Sequence, residues 1–172
     1  AGLSDFGDGK THQSIDDIAL MRVLPNMTVL SPVDAVETRK MMDEAIKCNG
    51  PVYIRINRND LPVLTDPYAE YHIGKMDRLR DGKDAVIFAT GVMVSKSLEA
   101  AENLEKQGIS CRVVNVSTIK PLDAEALKAN IQGMKAVVTA EEHNKYCGLG
   151  SAIAEALSED RIPIGMVAVD DR

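Results

Sequence analysis

The chain holds 172 residues, 45% of them hydrophobic and 27% charged, with 20 basic against 26 acidic side chains for a net charge of −6. That length allows one large domain or two small ones, and the acidic balance argues against a nucleic-acid-binding surface while leaving room for a small basic pocket. No apolar run approaches the roughly 18 residues that span a bilayer. The start, "AGLSDFGDGK", has no secretory pattern, and Cys48, Cys111 and Cys147 lack any CxxC pairing and read as the reduced thiols of a cytoplasmic protein.

In chain order, the first polar residues with chemical potential are Asp8, Lys10, Thr11 and His12, in a loop that no strand precedes. Domains rarely open on such a loop, so residues are expected to be missing upstream. Ser14, with Asp17 in capping-box spacing, predicts a helix whose apolar stripe is Ile15, Ile18 and Met21 to Leu24, stopped by Pro25 and Asn26. "MTVLS" reads as a short buried strand. Pro32 suits the first turn of a helix through "DAVETRKMMDEAIKC", which ends before Asn49-Gly50. "PVYIRI", β-branched and alternating, predicts the next strand.

Between residues 57 and 83 the pattern weakens into prolines, glycines and charges, which predicts a linker with a small hairpin around "YHIGKMDRLRDGKD". Strand "DAVIFAT" then leads into helix "VSKSLEAAENLEKQ", with Val94, Leu98, Ala101 and Leu104 on one face. Strand "SCRVVNV", a turn at Pro121, helix "DAEALKANI", strand "KAVVTAEE", helix "GSAIAEALSE" and strand "IGMVAV" complete the chain. Strands separated by helices imply right-handed βαβ units. The expected fold is α/β: two blocks with mainly parallel sheets and flanking helices, the first incomplete. The blocks are 1–66 and 80–172, with a linker over 67–79.

Ligands of open parallel sheets bind beyond the carboxyl ends of the strands. The loop holding Asp8 and His12, and Arg58 two residues past the predicted strand 52–56, are thereby expected at one cleft edge. A carboxylate accepts hydrogen bonds from sugar hydroxyls, an imidazole can carry a proton near neutral pH, and a guanidinium grips phosphate in a bidentate fork. The set suits a phosphorylated, polyhydroxylated substrate. On residue types alone another reading stays open: a turn at Asp8-Gly9, a histidine near a helix start and a surface ion pair at Arg58. In "AEEHNKYCGLGSA", the glycines before a helix can expose amides to an anion or permit tight strand-to-helix packing. The full dinucleotide fingerprint is absent, and packing is the favoured reading. His72, in the linker, reads as solvated.

The segment "DGKTHQSIDDIALMRVLPNMTVLSPVDAVET" resembles the transketolase family, whose pyrimidine-binding domain carries a D-G-x-T-H-Q loop, an R-x-x-P-N helix ending and a P-x-D-x-x-E helix. "INRNDLPVL" resembles that family's S-R-x-x-L-P segment, with Asn57 in place of the usual serine. "DAVIFATGVMVSKSLEAAENLEKQGISCRVVNVSTIKPLD" and "VTAEEHNKYCGLGSAIAEAL" are similar to the carboxyl-terminal domain, most of all to the separate carboxyl-terminal subunit of two-subunit transketolases.

The resemblance implies transfer of a two-carbon ketol unit between sugar phosphates, using thiamine diphosphate and a divalent metal, Mg. It implies that Asp8 recognises a donor hydroxyl, that His12 contacts substrate near the reacting carbons as a catalytic residue, and that Arg58 binds substrate phosphate. Lys10 departs from the proline or alanine usual there. The family's cofactor-activating glutamate lies upstream of the loop and its diphosphate- and metal-binding domain is a further unit. The chain is therefore expected to bind no cofactor or metal by itself, to need an amino-terminal subunit or domain, to form homo-oligomers and to be inactive alone. The alternatives are a non-catalytic assembly module, or part of a 1-deoxyxylulose-5-phosphate synthase or of a 2-oxoacid dehydrogenase beta subunit.

Overall fold

A computed structural model describes residues 1–4 and 7–171 of the chain. Helix α1 (Asp17–Arg22) is shorter than its apolar stripe predicts. Ser14 does not cap it; its hydroxyl donates to the carboxylates of Asp16 and Asp17 at 3.2 Å each, and Asp16 takes the cap position without accepting a backbone N–H of the helix. Strand β1 (Thr28–Leu30) follows, then α2 (Ala35–Ala45). The α2 cap is Asp34, whose carboxylate accepts the Glu37 N–H at 2.7 Å, while Glu37 accepts the Val33 N–H at 2.7 Å. Pro32 thus precedes the helix instead of filling its first turn.

Strand β2 (Val52–Ile54) lies parallel to β1, from Thr28 opposite Val52 to Leu30 opposite Ile54. It stops two residues short of the expected 52–56, so Arg58 stands four residues past the strand end. Residues 57–76 form no helix or strand, yet Tyr71 is buried with Leu30 and Met41. The expected hairpin is not formed. Strand β3 (Asp77–Arg80) instead pairs antiparallel with β5 (Cys111–Asn115), which separates it from β4 (Ala85–Ala89). Its Asp77, Arg78 and Arg80 suit the sheet edge it occupies, because charge on an edge strand discourages pairing with other chains.

Helix α3 (Met93–Glu105) connects β4 to β5. Next come β6 (Thr118–Lys120), α4 (Ala124–Ile131), β7 (Ala136–Asn144), α5 (Leu149–Ala156) and β8 (Ile164–Val169). The larger sheet has the order β3-β5-β4-β7-β8, parallel except for β3. The smaller has the order β2-β1-β6, with β6 antiparallel to β1. The fold is α/β with mainly parallel sheets, as the alternation predicts. Strand β6, read from sequence only as the approach to a turn, leaves the second block to complete the first block's sheet.

Alternation within the strands divides the core between the two faces of the larger sheet. Val86, Phe88 and Val114 pack with Leu127 of α4 and Leu149 and Ile153 of α5. Ile87 and Val113 face the other way onto Val94 and Ala101 of α3, with Leu98 and Leu104 packed against them. Each fully buried Leu, Ile or Phe stabilises by about 1.5–3 kcal/mol. Around the smaller sheet, Ile18, Val29 and Ile119 pack together on the α1 side, and Leu30 and Met41 pack together on the α2 side. Among the described residues no helix is long and apolar enough to cross a membrane, and the three cysteines are free thiols.

Candidate active site

Asp8 caps a single 3-10 turn (Gly9–Thr11) that carries the chain to His12. Gly9 has φ +66, a left-handed conformation that glycine adopts without steric cost, and the turn brings Asp8 and His12 onto one side. His12 Nε2 lies 4.0 Å from Asp8 Oδ2, and its Nδ1 is 2.9 Å from the Thr11 hydroxyl. Arg58 arrives from the loop after β2 and donates from its guanidinium to the same Asp8 oxygen. That hydrogen bond, reinforced by the positive charge, holds the Asp8 carboxyl below the ordinary carboxylate range. The structure therefore brings together all three residues expected to converge, although 50 positions separate Asp8 from Arg58. Their side chains are about half exposed, at 44% for Asp8, 52% for His12 and 56% for Arg58. They form an open rim. A cavity of about 620 Å³ lies on the Lys10 and Gln13 side, and one of about 590 Å³ on the Asn59 and Ser4 side.

Behind the rim is a buried hub. Arg55, 7% exposed, donates to Asp17 Oδ2 at 2.8 Å and to the carbonyls of Ser14 at 3.0 Å and Glu142 at 2.9 Å. Burial works against the Asp17 charge, but Arg55 and the Tyr53 hydroxyl, 2.8 Å away, outweigh it and hold the carboxyl below its ordinary range. Fully buried His143 is satisfied at both ring nitrogens: Nε2 accepts the Ala19 N–H at 3.3 Å and Nδ1–H donates to the Asn144 carbonyl at 2.7 Å. These contacts lock α1 and β2 to the end of β7 and so fix the platform from which both site loops spring. The one sequence signal for the hub is a charged residue inside the apolar run "PVYIRI".

The glycine-rich start of α5 is filled from within. Glu141 accepts the N–H groups of Leu149 at 2.7 Å and Gly150 at 2.8 Å, so its carboxylate occupies the helix N-terminus. A Cβ on Gly148 would stand 2.2 Å from Glu141 Oε2. The glycines therefore serve close strand-to-helix packing. His72 is exposed beside Glu70 at 3.6 Å. The described residues do not fit a diphosphate–metal group: no three His, Cys, Asp or Glu side chains gather where an ion would sit, and the α5 amides already have their anion.

The transketolase pyrimidine-binding-domain profile matches residues 1–63, and the transketolase C-terminal-domain profile matches residues 74–171. This chain belongs to the transketolase family. It is 43% identical over 171 residues to the 6-deoxy-6-sulfo-D-fructose transketolase subunit SqwH of Clostridium sp. (strain MSTE9), covering 99% of this chain and 53% of that protein. A 1-deoxy-D-xylulose-5-phosphate synthase of Rippkaea orientalis is 39% identical over 171 residues, covering 96% of this chain and 27% of the synthase. Among solved structures, a split gene transketolase described as an inactive beta4 tetramer superposes with a TM-score of 0.90 at 48% identity, covering 94% of this chain and 54% of that one. This transketolase-family chain thus spans about half the length of the SqwH subunit and of the split-gene chain. The family is thiamine diphosphate dependent in general.

Proposed function

We propose that this chain provides the sugar-phosphate rim of a thiamine diphosphate-dependent transketolase, which moves a two-carbon ketol unit between sugar phosphates. The observation that carries this reading is the convergence of Asp8, His12 and Arg58 on one exposed edge. Asp8 accepts a hydrogen bond from a donor hydroxyl, His12 contacts substrate near the reacting carbons, and Arg58 binds the phosphate. The Asp8 carboxylate pairs with the Arg58 guanidinium, which supports a rim able to hold an anionic group beside a hydroxyl. The open rim favours a site whose facing wall, with the diphosphate, the Mg ion and the activating glutamate, comes from an amino-terminal domain or subunit. Homo-oligomerisation of the assembled protein belongs to the same proposal.

Arg58→Ala in the assembled enzyme tests the reading. A charge-assisted hydrogen bond is worth about 1.5–3 kcal/mol, so KM for a phosphorylated substrate rises about 10-fold or more while that for an unphosphorylated ketose barely moves. An unchanged KM for the phosphorylated substrate removes Arg58 from the site. Pyruvate as donor in the same assays separates ketol transfer from synthase chemistry.

A further inference from the structure

Arg58 stands between two asparagines, and both side chains reach the same stretch of chain. Asn59 Nδ2 donates to the Ser4 carbonyl at 2.6 Å and Asn57 Nδ2 to the Ala1 carbonyl at 3.4 Å. Asn57 Oδ1 accepts the Asn59 N–H at 2.7 Å, closing a side-chain turn around Arg58. Residues 1–4 are held on their other side by residues just past His12. Gly2 N–H donates to the Ser14 carbonyl at 2.9 Å, and Gln13 Nε2 to the Leu3 carbonyl at 3.0 Å. The Ser4 hydroxyl also donates to Glu142 Oε1. Residues 1–4 thus bridge the loop bearing Asp8 and His12 to the loop bearing Arg58.

We propose that Asn57 and Asn59 are positioning residues that set Arg58 against Asp8 and so set the width of the substrate rim. The juxtaposition itself is geometric; its meaning for substrate binding rests on the function proposed above. Without the Asn59 donor the Ser4 carbonyl loses its partner on the Arg58 side, and without the Asn57 acceptor the turn around Arg58 opens. Either change lets the two loops separate, and an ion pair between half-exposed groups weakens quickly with distance. Serine at position 57 retains an acceptor for the residue-59 N–H, so Asn57→Ser is the conservative variant that restores the turn.

The first measurement is the titration of the Asp8 carboxyl by carbon NMR in this chain. Asn59→Ala and Asn57→Ala move its midpoint upward toward the ordinary carboxylate range, in the direction of the Arg58→Ala control, while Asn57→Ser keeps it low. The second is steady-state kinetics of the assembled enzyme, where Asn59→Ala raises KM for a phosphorylated substrate about 3- to 10-fold with kcat retained. Added to Arg58→Ala, it raises KM no further. A midpoint for Asp8 that stays low in Asn59→Ala and Asn57→Ala overturns the positioning role. If Arg58→Ala leaves KM unchanged, the substrate reading fails while the titration still judges the positioning. If Arg58→Ala raises KM and Asn59→Ala does not, the positioning inference fails alone. Should Asn59→Ala not fold, the Asn57→Ala and Asn57→Ser pair gives the same decision.

Discussion

Arg55 ties three segments of the chain together behind the open rim. It is a buried cation whose guanidinium meets one carboxylate and two carbonyls, and its partner Asp17 also accepts from Tyr53. Burial and Asp17 together push the Tyr53 phenol up to about 12. Removing one member of such a pair leaves a desolvated charge, which typically costs about 3–5 kcal/mol. Asp17→Asn is expected to lose that much in denaturant unfolding at pH 7, with the rim loops loosening in hydrogen exchange. The sign of the pH dependence follows from the lowered Asp17 pKa. Its stabilisation is present above the ordinary carboxylate value of 3.8 and fades as pH falls through the folded value, so wild type and Asp17→Asn converge in acid. Within "PVYIRI" the arginine was visible as an anomaly, but its partners lie 38, 41 and 87 positions away, and no local pattern names them.

Among the elements, α5 shows how closely a strand and its following helix can be fitted. Glu141 in β7 reaches the amides of Leu149 and Gly150, a contact possible because Gly148 presents no Cβ to the carboxylate. Gly148 has φ −81, so a side chain there suffers from lack of space and not from backbone strain. Gly148→Ala is expected to destabilise by about 1–3 kcal/mol, the range for overpacking, and to speed amide exchange at Leu149 and Gly150. Gly165, in β8, has nothing within 4 Å of its Cβ direction, and Gly165→Ala is the control, expected within about 1 kcal/mol of wild type. The glycine pattern itself pointed to packing; that Glu141 supplies the anion at the helix start emerged only when β7 and α5 were placed in space. Helices α3 and α4 were legible to within about two residues, because the residue pattern of a helix is a local signal; the cap of α4, Asp123 accepting the Ala126 N–H at 2.9 Å, was read only from the structure. Strand β3 was misread because its partner is β5, beyond β4 and α3, whereas the hairpin reading assumed a sequence neighbour.

At the scale of the whole molecule, Glu37 ties the two halves together. Only 1% exposed, it accepts from Val33 N–H at 2.7 Å and from Asn115 Nδ2 at 2.9 Å, with the Ser117 hydroxyl also against it. It thus joins the head of α2 to the segment between β5 and β6. Asp34 adds its negative charge, and Tyr71 and Asp77 line the same small cavity. Burial raises the Glu37 carboxyl from 4.5 to about 7, the amide and hydroxyl donors opposing it only in part. Between those values the folded state holds a proton that the unfolded state has lost, so stability falls as pH rises from 4.5 through about 7. The full loss is about 3 kcal/mol. Unfolding free energies measured from pH 5 to pH 8.5 are expected to decline in wild type and to decline less in Glu37→Gln. A decline of equal size in both would assign the pH dependence to other groups. Asp34 works in the opposite sense, its carboxyl held low by the amides of Glu37, Leu64 and Thr65 despite burial, so its contribution is lost only in acid.

By itself the sequence determined the alternation of strands and helices, the α/β class, the apolar face of α3 and the candidacy of Asp8, His12 and Arg58. Each of these rests on residue types and spacings that act within a few turns of chain. Tertiary structure alone decided the β1–β6 pairing across the two blocks, the burial of Arg55 against Asp17, the Glu141 plug at α5 and the contacts of Asn57 and Asn59 with residues 1–4. Those features are hydrogen bonds between groups distant in sequence, satisfied because desolvated polar atoms must find partners wherever the packed chain brings them.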